Sequence, residues 1–205
     1  MGGLSCINAI AGAYSDDLPV LCISGGPNNL DSQERHIIHH TIGERDLYQQ
    51  SRCYEPIVAN TFVIRHPAEA AQMIDAALRT CMNKRKPVYL EIPVNLATVK
   101  IDEPMPISSL SAYGSPTSDP SSLIAAKVSI LKSIKNSVKP VLIAGSQLRK
   151  TESTAEFLQF ANKMGCGVAI MPDAKSLFPE SHKNFMGRYW GSVSSPRVAE
   201  MVFAC

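Results

Sequence analysis

Apolar residues at Leu4, Ile7, Ile10, Ala11 and Tyr14 recur at helical spacing and predict an amphipathic helix over residues 4–15. A short continuous apolar run, Pro19-Val-Leu-Cys-Ile-Ser24, predicts a strand, which Gly25, Gly26 and Pro27 are expected to end. Asp16 and Asp17 between them read as a solvated connection. Residues 54–64 are rich in β-formers and predict a further short strand. Pro67 suits the first turn of the next helix, whose buried stripe is Ala68, Ala71, Ile74, Ala77, Leu78 and Cys81. Lys84, Arg85 and Lys86 fit the negative end of that helix dipole, and Pro87-Val-Tyr-Leu-Glu-Ile92 is the following strand.

From Pro93 to Pro120 the texture changes to proline and serine with few apolar residues, which predicts a linker with a boundary near 105–118. The helix–strand grammar then repeats. Asp119-Pro120 caps a helix carrying Leu123, Ile124, Val128, Leu131 and Ile134. A strand over 140–144 follows, then a helix from 151 to Met164 stopped by Gly165, with Phe157, Leu158 and Ala161 facing the core. Gly167-Val-Ala-Ile-Met171 is the next strand, and Ser195-Pro196 starts a final helix. Helices alternating with short, fully apolar strands argue for α/β architecture: two open, mainly parallel sheets with flanking helices. The corresponding domains are 1–105 and 120–205, joined by a linker over 106–119.

With 205 residues and 45% hydrophobic content, both domains can build cores. Twenty basic residues against eighteen acidic ones, without a long block of either sign, predict neither nucleic-acid nor membrane binding. The longest apolar runs are strand-sized, too short to cross a bilayer. Six scattered cysteines, several among apolar neighbours, read as buried free thiols in a reducing compartment, so a cytoplasmic location is expected. Met1-Gly2 begins like a myristoylation signal, but Cys6 stands where Ser or Thr is required.

The candidate chemistry follows the first strand, where His39-His40 is closed by Thr41 and Gly43. Ligands of open parallel sheets bind beyond the carboxyl ends of the strands. Two adjacent imidazoles, with unperturbed pKa values of about 6.5, read as a proton relay. Two alternatives stand beside this reading. His36, His39 and His40 at i, i+3 and i+4 would share a helical face suited to a metal, although no Asp, Glu or Cys completes a familiar zinc spacing. A purely structural role would place one ring in the core and one in solvent. Gly165-Cys-Gly167 precedes its strand and fails as a dinucleotide fingerprint. Trp190 reads as a packing anchor.

Gly2-Gly-Leu-Ser-Cys-Ile-Asn8, Ile23-Ser-Gly-Gly-Pro-Asn-Asn29, His39-His-Thr-Ile-Gly43, Lys86-Pro-Val-Tyr-Leu-Glu-Ile-Pro93, Met171-Pro-Asp-Ala-Lys-Ser-Leu-Phe-Pro-Glu180 and Gly187-Arg-Tyr-Trp-Gly191 together resemble the thiamine-diphosphate-dependent pyruvate decarboxylases, the plant-type branch above all. The resemblance covers essentially the whole chain. It implies the latter part of a pyrimidine-binding domain over 1–105 and part of a central domain over 120–205, both incomplete, with Met1 an unusual start to a truncated chain. It implies that His39 and His40 carry the proton traffic of 2-keto acid decarboxylation, most simply pyruvate to acetaldehyde and CO2. It further implies thiamine diphosphate and Mg2+ as cofactors, a small 2-keto acid as substrate and a homo-oligomer as the working form. The family's activating glutamate and its Gly-Asp-Gly motif for magnesium and diphosphate have no counterpart in the chain, which contains no Gly-Asp pair. A non-catalytic assembly or regulatory fragment of such an enzyme is the alternative expectation.

Overall fold

The computed structural model describes residues 2–39, 42–101 and 117–205. The chain divides into two compact units, Met1–Gly114 and Ser115–Cys205. The expected linker lies largely outside the described residues.

In the first unit, β1 (Leu21–Gly26), β2 (Thr61–Val63) and β3 (Val88–Pro93) form a parallel sheet in the order β1-β3-β2. The uninterrupted apolar run of β3 suits the central place, because a parallel strand covered on both faces has no solvent side to keep polar. Val88, Tyr89, Leu90 and Glu91 are all buried. Alternation along the strand sends Tyr89 to one face, where it packs with Ile10 of α1 (Ile7–Ser15), Tyr54 and Val58. The other face takes Leu90 with Ile64 and Ala70, and Val88 with Ala77 and Cys81. These last residues bring in α4 (Ala70–Lys84), the third helix after α1 of that unit being preceded by α2 (Asn29–Gln33) and α3 (Gln49–Tyr54). Glu69 organises the start of α4: its Oε1 accepts the backbone N–H groups of Arg65 (2.6 Å) and His66 (3.0 Å).

Three expectations for this unit are corrected. The first strand extends through Gly25 and Gly26 instead of stopping before them. A Cβ on Gly26 would lie 2.6 Å from Oε1 of Glu91, so glycine is there to let the buried carboxyl approach the backbone. Only Thr61–Val63 of the β-forming stretch 54–64 becomes a strand, because its first residues complete α3 and a 3-10 turn. Asp17 is not solvated: it is 8% exposed and pairs at 2.7 Å with Nζ of Lys86, which also sits 4.3 Å from the centre of the Tyr14 ring.

In the second unit, β4 (Val141–Ala144), β5 (Gly167–Ile170) and β6 (Phe185–Arg188) form another parallel sheet, in the order β4-β5-β6. Its elements include α5 (Pro120–Asn136), α6 (Gln147–Lys150), α7 (Thr154–Met164) and α8 (Val198–Phe203). The core gathers Ala144, Ala161, Val168, Ile170, Ala174 and Phe178, against which Phe157, Leu158 and Phe185 pack. Asp119 caps α5 by accepting the N–H of Ser122 at 2.8 Å, and Gly165 ends α7 in the left-handed region at φ +65°. The apolar stripe of α5 is, however, exposed: Leu123, Ile124, Val128 and Leu131 find no cover among the described residues. Trp190 is 57% exposed and so is no packing anchor within this unit. The final helix starts at Val198, two residues beyond Pro196. Of the six cysteines, all free, Cys81 alone is fully buried.

Candidate functional site

The crossing from β1 to α3 carries the candidate histidines, and its two ends are tied down differently. At its start the Asn28 side chain accepts the N–H of Leu30 at 2.9 Å and caps α2. Asn29 then knots the carboxyl ends of all three strands together. Its N–H donates to Oδ1 of Asn95, just past β3, at 3.1 Å, and its Nδ2 donates to the carbonyl of Arg65, just past β2, at 2.8 Å. Nδ2 of Asn95 returns a hydrogen bond to Oδ1 of Asn29. At the far end Asp46 accepts the Tyr48 N–H at 2.9 Å and pairs with Arg52 at 2.5 Å. The Tyr48 N–H, with Arg52 behind it, holds the Asp46 carboxyl below the usual carboxylate range.

His39 occupies a turn of this crossing and is exposed. His40 and Thr41 lie outside the described residues. Helix α2 stops at Gln33 and residues 36–38 are not helical, so His36 and His39 share no helical face. His36 is instead held between two carboxylates, with Nδ1 3.0 Å from Oδ1 of Asp31 and Nε2 3.1 Å from Oε2 of Glu34. Its hydrogen bond to Asp31 raises its pKa above the ordinary value. A raised folded-state pKa means that this pairing supports the fold fully below the unfolded value of about 6.5 and is lost as pH rises through the folded value. An NMR titration of the ring protons is expected to place His36 above 6.5, and Asp31→Asn to bring it back toward 6.5. A wild-type value at or below 6.5 would contradict this arrangement.

A largely buried polar chain that sequence reasoning did not single out links α3 with β1 and β3. Nε2 of Gln50 donates to Oγ of Ser24 (2.7 Å) and to the hydroxyl of Tyr89 (2.8 Å), which donates to Oε2 of Glu91 at 2.6 Å. Glu91 is 3% exposed, and burial raises its pKa; burial does the same to Tyr89. Tyr89 also stacks on Tyr54 with ring centres 4.4 Å apart. The chain fixes α3 to β1 through Ser24 and to β3 through Tyr89. Period-two alternation alone marks Glu91 as inward-facing next to Tyr89 on its face, which was the available signal. Among the described residues, no three His, Cys, Asp or Glu side chains come together as metal ligands.

Residues 128–205 match the family described as thiamine pyrophosphate enzyme, central domain. Over 98% of its length the chain is 40% identical to pyruvate decarboxylase 1 of Nicotiana tabacum and to pyruvate decarboxylase 3 of Arabidopsis thaliana. Over 95% it is 40% identical to a probable pyruvate decarboxylase of Schizosaccharomyces pombe. The chain is thus similar to pyruvate decarboxylases along almost its whole length. It spans 48% of the tobacco protein and 34% of the Arabidopsis and fission-yeast ones. Since the alignments run almost end to end along this chain, both α/β units lie within the shared region. The central-domain match falls wholly in the second unit, whereas the histidine crossing belongs to the first.

Proposed function

We propose that these residues form part of a thiamine-diphosphate-dependent 2-keto acid decarboxylase that converts pyruvate to acetaldehyde and CO2, with His39 and His40 moving the protons. The observation that carries this reading is the position of the His39 crossing at the knotted carboxyl ends of three parallel strands, in a chain 40% identical to pyruvate decarboxylases along nearly its whole length. Loss of CO2 from a 2-keto acid leaves negative charge on the former carbonyl carbon, and thiamine diphosphate supplies the electron sink that no side chain offers. The residues of this chain then have a narrower task. A proton must be delivered to that carbon, and another must leave the hydroxyl as the aldehyde departs. An exposed histidine on a crossing pinned at both ends can reach a bound ligand without costing the core any packing.

Magnesium is expected with the cofactor, but the described residues offer it no ligand set, so none is assigned here. The exposed stripe of α5 and the edge strand β1, where Ile23 is 60% exposed, support assembly of the complete enzyme as a homo-oligomer. Free cysteines in every described position are compatible with work in the cytoplasm.

The test uses a chimaera in which these 205 residues replace the matching stretch of the Arabidopsis relative. Calorimetric titration with thiamine diphosphate and magnesium is expected to show saturable, micromolar binding to the folded chimaera. The same titration of the 205-residue chain by itself is expected to show no heat beyond that given by inorganic phosphate at the same ionic strength. A folded chimaera that takes up no cofactor would overturn the reading.

A further inference from the structure

A cleft of about 650 Å³ opens beside the anchored ends of the crossing, and its walls carry Arg35, Arg45, Arg52 and Arg65 together with His66 and a single acid, Asp46. Asp46 is engaged with Arg52. No carboxylate pairs with the side chains of Arg35, Arg45 or Arg65 among the described residues. The nearby Glu69 spends its Oε1 on the backbone N–H groups of Arg65 and His66, and Asp31 and Glu34 are turned to His36. The Arg65 guanidinium lies 5.1 Å from the centre of the Tyr48 ring, and that ring also lines the cleft. Three guanidinium groups with no carboxylate in contact among the described residues, although the charge of Glu69 acts on Arg65, repel each other and concentrate anions in one concavity. Their forked donors match the oxygens of phosphate or carboxylate in pairs.

Charge chooses between those two anions. A monocarboxylate brings one negative charge and leaves most of the excess uncompensated. A phosphate monoester brings about −1.5 to −2 near neutral pH, with three acceptor oxygens. The volume is that of an ordinary small-molecule site, about 300–1,000 Å³, and exceeds what an inorganic anion alone fills. Ser32, Asn29 and Gln33 on the walls offer neutral polar groups for the remainder of a ligand.

We propose that this cleft binds a small phosphorylated metabolite, with Arg35, Arg45 and Arg65 holding the phosphate. The proposal draws on neither His39 nor His40 and does not depend on their proton chemistry. Because the cleft lies against the crossing that carries His39, occupancy would fix that crossing further.

The probe is inorganic phosphate, titrated into the 205-residue chain at constant ionic strength balanced with chloride, with acetate as the monocarboxylate comparison. Expected are saturable phosphate binding, acetate binding at least tenfold weaker, and perturbation of the arginine Nε–H NMR signals of Arg35, Arg45 and Arg65 in the unaltered protein. Replacing Arg45→Gln and Arg65→Gln together is expected to weaken phosphate binding at least tenfold. The NMR result stands without any variant and so survives one that fails to fold. Equal responses to phosphate and chloride, acetate binding as tight as phosphate, or unmoved arginine signals would each overturn the proposal. None of these outcomes bears on decarboxylation, so the two readings fail separately.

Discussion

In the chimaera, His39→Ala and His40→Ala are each expected to lower the turnover number on pyruvate by about 10²–10⁴-fold, the usual contribution of a positioned general acid or base. That range corresponds to about 3–5 kcal/mol of barrier. Thermal unfolding of the His39 variant should coincide with that of the parent, because an exposed side chain on a turn contributes no packing to the core. Near-normal turnover in both variants would return the histidines to a structural role.

The largest expected effect on stability lies in the second unit. Phe178→Ala should cost about 3–5 kcal/mol, as full truncation of a buried aromatic side chain does. Phe178 is 1% exposed and meets Phe157 edge-on at 5.9 Å, His182 at 5.0 Å and Phe185 at 6.4 Å between ring centres. Its loss would remove a side chain that meets all three rings. A three-stranded unit has little reserve, since whole domains are stable by only about 5–15 kcal/mol. Denaturant unfolding followed by the near-ultraviolet signal checks the value. Val138→Ala is the contrast: at 91% exposure it should move stability by no more than about 0.5 kcal/mol. Equal costs at the two positions would contradict the placement of this core.

What was legible in the sequence was whatever local periodicity determines. β3, the stripe of α4 at Ala77 and Cys81, the Asp119 cap and the Gly165 stop all lie where spacing puts them. What escaped depends on partners distant in the chain. Gly25 and Gly26 look like a strand end until Glu91, 65 residues beyond Gly26, takes the space of a side chain. The Asp17–Lys86 pair joins a stretch that reads as solvated to one that reads as a helix end. The arginines of the cleft are spread from position 35 to 65 in a chain of net charge +2, so no charge block announces them. β6 was missed because Phe-Met-Gly-Arg is neither alternating nor uniformly apolar, and its place is set by pairing with β5. The exposed stripe of α5 shows the opposite limit: spacing correctly gives the helix and its apolar side, but not what covers it.

The proposed activity is tested most directly by product formation from pyruvate in the chimaera loaded with thiamine diphosphate and magnesium. Acetaldehyde and CO2 should appear in equal amounts, catalytically and in proportion to enzyme, and should fall together in the His39→Ala and His40→Ala variants. A folded, cofactor-loaded chimaera that leaves pyruvate unchanged would contradict the assignment of these residues to a 2-keto acid decarboxylase.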